Sequence, residues 1–211
     1  MKKFCSGASI AACQTEFGLK SPRIGGRLVI YLLILLLGAT NGIFFFFLPF
    51  QPYPTVRSGH TATTLGYNIY LMGGRNGANN YNLVHRSNYW NPGMPMANWV
   101  TLAPMNTSRY FAASASANGK VYVFGGYVNG ATTPSTQVEE YDPNNNTWTF
   151  RAAMPVAVAR MKAVAANGVI YVMGGVNTGG TVVSTVQVYN PLSNTWSTAA
   201  AMLAPRADFG A

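Results

Sequence analysis

Residues 120–126 read KVYVFGG, and the same phrase returns as NIYLMGG at 68–74 and VIYVMGG at 169–175. The last glycines of the three lie 52 and 49 residues apart. Other landmarks recur around each double glycine in one order. An Arg precedes it: Arg57, Arg109 and Arg160, then Arg206, at intervals of 52, 51 and 46. A Pro follows (Pro92, Pro143, Pro191), inside YWNP, EYDP and VYNP. A Trp comes after each Pro (Trp99, Trp148, Trp196), and a Met six residues later (Met105, Met154, Met202). Such a series, repeated three times at about 50 residues, marks a repeat architecture whose units bury their apolar faces against one another.

Each unit reads as four strands. The first is small and alternating, as in RYFAASASA. Asn-Gly at 118–119 and again at 167–168 supplies the positive-φ pair of a two-residue hairpin turn. The second strand, Val121–Phe124, is apolar at every position, as expected where sheets stack and both faces are covered. It ends in Gly-Gly, at Gly73 and Gly74, Gly125 and Gly126, and Gly174 and Gly175, where a side chain would obstruct close packing or a positive-φ turn. A variable loop rich in Gly, Asn and Thr follows (75–83, 127–137, 176–185). The third strand, VEEY or VQVY, runs into a Pro turn, and the fourth carries the Trp.

This pattern resembles the kelch repeat, over residues 56–211. The signature is the double glycine after an apolar strand, with Tyr141 or Tyr189 and then a Trp beyond it. In the first repeat Trp90 stands where the others have Tyr. The resemblance implies an all-β fold, a kelch-type β-propeller with one four-stranded blade per repeat, and Tyr and Trp packed between blades. The repeats are 56–107, 108–158 and 159–204, with the start of a fourth at 205–211. Propellers close with roughly four to eight blades. The expectation is therefore a portion of a longer reading frame, or chains that associate through open blade faces.

Charged residues are only 9% of the 211, against roughly 25% in a typical soluble domain, while 13% aromatics are too many for a disordered chain. The net charge of +9 divides by region. Residues 1–27 hold five basic residues against Glu16, and residues 51–211 hold nine against Glu139, Glu140, Asp142 and Asp208. The second excess is scattered singly, with no Lys/Arg run and no nucleic-acid motif, so no nucleic-acid partner is expected. Residues 28–50 (LVIYLLILLLGATNGIFFFFLPF) are uncharged and 18 of the 23 are apolar, enough to span a bilayer core as an N-terminal apolar helix. A membrane anchor and a cleaved signal peptide both fit, with 51–55 as a linker. The basic residues before the run favour a cytoplasmic N-terminus, which puts the repeats outside the cytoplasm, membrane-anchored or secreted.

Catalytic chemistry is hard to build from these residues. Cys5 and Cys13 both precede the apolar run, so the repeats have no thiol. His60 and His85 have no evident carboxylate partner, and Glu139 and Glu140 point to opposite faces of a strand. No cofactor or metal is expected. The arginine series is the candidate ligand site. If each Arg opens the innermost strand of its blade, Arg57, Arg109, Arg160 and Arg206 line one mouth of the propeller and favour carboxylates. The resemblance adds that residues in this place help bind acidic peptide segments in relatives. The bland alternative is that these arginines bond backbone carbonyls between blades. The expected function is a non-catalytic binding module for a protein or carbohydrate ligand. A sugar mutarotase of the sialic-acid type and a purely structural surface repeat stand as alternatives.

Overall fold

The computed structural model describes residues 55–87 and 99–210, together with the backbone of four short strands nearer the N-terminus. Two of these, Tyr31–Leu33 and Phe46–Pro49, pair antiparallel within the apolar stretch. The rest of the helix expected over 28–50 lies outside the described residues. Among those described, no helix is long and apolar enough to cross a membrane.

The repeats form three four-stranded antiparallel sheets, each falling within one repeat. From inner to outer strand, the first runs Thr61–Leu65, Asn68–Met72, Val84–Ser87 and Trp99–Leu102. The second runs Ala113–Ala117, Lys120–Phe124, Val138–Asp142 and Thr147–Arg151. The third runs Lys162–Ala166, Val169–Met173, Val186–Asn190 and Thr195–Ala199. The inner hairpins close on Asn118 and Gly119, and on Asn167 and Gly168, all with positive φ, as a twisted two-residue turn requires.

The core lies between the blades. Alternate residues of Lys120–Phe124 go opposite ways: Val121 and Val123 pack with Tyr70, Met72 and Val84 of the first blade. Tyr122 and Phe124 pack with Ile170, Val172 and Tyr189 of the third. A strand apolar on both faces is what this stacking demands.

The recurring aromatics of the second and third repeats are ties between blades. Trp148 Nε1 donates to Ala103 O and Trp196 Nε1 to Ala152 O, each at 2.9 Å. Asn146 Oδ1 accepts from Tyr141 Oη and from the Ala103 amide, and Asn194 Oδ1 accepts from Tyr189 Oη and the Ala152 amide. The first repeat differs from the sequence expectation. Trp148 pairs with Tyr141 and Trp196 with Tyr189, but Trp99 pairs with Ser87. Ser87, and not Trp90, therefore holds the tyrosine's place. Trp90 lies outside the described residues; the Asn-Pro after it misled, because 11 residues separate Ser87 from Trp99 where 6 separate Tyr141 from Trp148 and Tyr189 from Trp196.

Candidate functional site

The double glycine decides how each blade receives the next. A Cβ at Gly73, Gly125 or Gly174 would collide with a backbone carbonyl of the following blade's entering chain, that of Arg109, Val158 or Arg206. The amide of the second glycine donates to that same carbonyl, at 2.8 Å for Gly74, 3.0 Å for Gly126 and 2.7 Å for Gly175. All six glycines have positive φ. Docking a carbonyl this close leaves no room for a side chain, so the pair must be Gly-Gly.

This docking fixes the register of the candidate arginines. Arg109, Val158 and Arg206 are equivalent. Arg160 stands two residues further along, in the place held by Phe111 and Asp208. All three have positive φ, as does Gly59, two residues after Arg57. The four are linked in series by backbone hydrogen bonds, Phe111 N to Gly59 O, Arg160 N to Phe111 O and Asp208 N to Arg160 O. The even spacing in the sequence thus joined two different positions into one series.

The arginines accordingly have different surroundings. Arg109 is fully buried, its side chain paired with Glu139 at 2.6 Å. It also donates to Gly125 O, Gln137 O and Thr107 Oγ1. Burial lowers its pKa, and the Glu139 carboxylate pulls it back. Glu139 completes the knot by accepting from the Asn106 amide and the Thr107 hydroxyl. Arg57, half-buried, donates to Leu83 O and lies 3.0 Å from His85 Nδ1, and burial lowers its pKa to about 10. At the matching place in the third blade Val158 is buried, and opposite it Gln187 bonds both the amide and the carbonyl of Val156. Arg206 is exposed, with its carbonyl docked on Gly175.

Arg160 is partly exposed. Its guanidinium lies 4.0 Å from the centre of the Phe111 ring and donates to Asp208 Oδ2 at 2.6 Å, which raises its pKa. A second guanidinium joins from the residue directly after the first double glycine. Arg75, exposed, lies 4.7 Å from the Tyr110 ring and 5.8 Å from Phe111. Tyr110 in turn stacks on Tyr127 at 5.0 Å. Arg75, Tyr110 and Tyr127 were not singled out in the sequence. They come together because the residues after each double glycine pair with the chain entering the inner strand, as Ser58 with Arg75, Tyr110 with Tyr127 and Ala159 with Val176. A cavity of about 110 Å³ opens beside the cluster, lined by His60, Phe111, Arg160, Lys162 and Asp208 among others. Two cations and three aromatic rings suit a planar anion approached by apolar neighbours.

The remaining acids are committed elsewhere. Glu140 takes both Nε and an η nitrogen of Arg151, and Asp142 pairs with Lys120 and caps its own turn. Among the described residues no group of three or more His, Cys, Asp or Glu could hold a metal.

Residues 49–207 match the family model of the KLHDC2/KLHL20/DRC7 Kelch-repeats domain. Kelch-like protein 25 of Xenopus tropicalis is 31% identical over 157 residues, covering 71% of this chain and 26% of the relative. The F-box protein AFR of Arabidopsis thaliana is 32% identical over 98 residues, covering 46% and 26%. The chain thus spans about a quarter of the length of these curated relatives. Among solved structures, YjhT superposes with a TM-score of 0.61 at 20% identity, over 71% of this chain and 52% of that one, a likeness of fold. With three blades joined at their double glycines and a family model spanning all of them, the chain belongs to the kelch-repeat family.

Proposed function

We propose that the repeats are a non-catalytic binding module, held outside the cytoplasm, that takes an acidic segment of a protein at the mouth carrying Arg160 and Arg75. The observation that carries this reading is the pair of accessible guanidiniums held against Phe111 and Tyr110. Stacked cations are already ordered, so a carboxylate binds them with little further loss of side-chain freedom. The variable loops after the first and second double glycines bring Arg75 and Tyr127 to this cluster, and on a repeat scaffold such loops supply the varied contacts. A carboxylated glycan offers the same charged group and is the competing ligand.

The test uses the full chain in mild detergent and a fluorescent capped tetraglutamate peptide at low salt. Arg160→Gln and Arg75→Gln should each weaken binding at least tenfold and leave the thermal midpoint within about 2 °C, since exposed ion pairs stabilise by only about 0–1 kcal/mol. Binding of an oligogalacturonate but not of the peptide would replace the protein ligand by a glycan. Equal affinity in both variants would remove the site.

The topology part rests on the five basic residues before the uncharged run at 28–50. A reporter active only outside the cytoplasm should work when fused after Pro54. Activity of a cytoplasm-only reporter at that junction would refute the placement.

A further inference from the structure

Asp208 differs from the other acids of the repeats. Glu139 and Glu140 have side chains 0% and 8% exposed, Glu139 held by Arg109, the Thr107 hydroxyl and the Asn106 amide, and Glu140 by two bonds from Arg151. Asp208 is 53% exposed and meets Arg160 through one bond, Nη1 to Oδ2. A guanidinium can grip a carboxylate with two parallel bonds, so this contact uses half of that capacity.

The two partners are held very differently. The Arg160 guanidinium carbon lies 4.0 Å from the centre of the Phe111 ring, and its backbone is tied on both sides, to Phe111 O and from Asp208 N. The Asp208 side chain is held by the Arg160 bond, and its carboxylate borders the cavity beside Arg160 and Lys162. At the equivalent positions in the other blades stand Gly59 and Phe111, which carry no charge. The carboxylate at the mouth is thus confined to the place where Arg160 is.

Resting on the reading of this mouth as an anion site, we propose that Asp208 is an internal stand-in for the ligand's carboxylate, and that an acidic side chain of the partner binds Arg160 by displacing it. An exposed single-bonded pair is worth little, so displacement costs little. The cavity of about 110 Å³ gives an incoming carboxylate room to approach from the Lys162 side. While unliganded, Asp208 screens Arg160 from weak anions, so the mouth selects ligands that bring a well-placed carboxylate rather than any negative surface.

The experiment compares the full chain with Asp208→Asn, Asp208→Ser and Arg160→Gln, using the labelled tetraglutamate peptide and an uncharged tetraglutamine control. Both Asp208 variants should bind tetraglutamate about two- to fivefold more tightly, the factor that corresponds to a pair worth up to about 1 kcal/mol. They should gain nothing for tetraglutamine, and Asp208→Asn combined with Arg160→Gln should lose the gain. Unchanged or weaker binding in both Asp208 variants, with Arg160→Gln still impaired, overturns the stand-in and leaves the anion site in place. Absence of binding in the wild type and in both Asp208 variants overturns the stand-in and the anion site together.

Discussion

Arg109 and Val158 occupy the same place in successive blades, and what differs is the residue facing each. Opposite Arg109 stands Glu139, paired and fully buried with it, and opposite Val158 stands Gln187, bonded to backbone. In these two blades charge appears on both sides of the contact or on neither, whereas in the first Arg57 faces His85. That matching is the mark of a structural tie, because a buried charge without its partner is very unfavourable. Arg109→Ala should therefore destabilise the chain by about 3–5 kcal/mol, since it strands the Glu139 carboxylate. Arg109→Val combined with Glu139→Gln copies the third blade and should recover most of that loss. Urea denaturation of the two single variants and the double one gives the coupling between them. Additive losses would show that the two residues act separately. Arg160, stacked at the surface, should show the reverse pattern, with loss of binding and little loss of stability.

At the scale of strands and turns, most of the fold could be read from residue types. Val121–Phe124 is apolar throughout because a blade on each side covers it, and Asn118-Gly119 closes the hairpin with two positive φ values. The Gly-Gly of each repeat was legible as a close approach, but not what approaches it. The visitor is a carbonyl of the next blade, and that carbonyl sets the register of the arginines. Spacing alone pairs the nearest residues of one type, so Arg160 was aligned with Arg109 while the true equivalent, Val158, has no charge to draw notice. The mouth cluster was less legible still. Arg75, Phe111, Arg160 and Asp208 come from successive blades and meet only because each inner strand starts with a residue of positive φ. No single repeat contains the pattern.

Across the repeats as a whole, one register position records how far each face is covered. Val121 in the second blade and Ile170 in the third are 0% exposed, each packed on the blade before it. Their equivalent in the first blade, Ile69, is 45% exposed. On the opposite face the order reverses. Tyr70 and Tyr122 are buried against the following blade, and Tyr171 of the third blade is only partly buried. Leu71 and Met173 repeat the contrast, each half-buried where its counterparts are fully buried. Among the described residues the three blades thus carry less-buried apolar side chains on their two outer faces, and burying them contributes about 25 cal/mol per Å². A chain of these 211 residues should satisfy the two faces by joining another copy, first blade against third, since those two faces are built to receive adjacent blades. Light scattering after gel filtration should find dimers or larger species whose share grows with concentration. Ile69→Lys places an ammonium in that contact and should shift the population towards monomer, with little change in each chain's own packing, because Ile69 makes no part of either inter-blade core. A monomer at every concentration, in the wild type as in the variant, would show that the end faces are already satisfied.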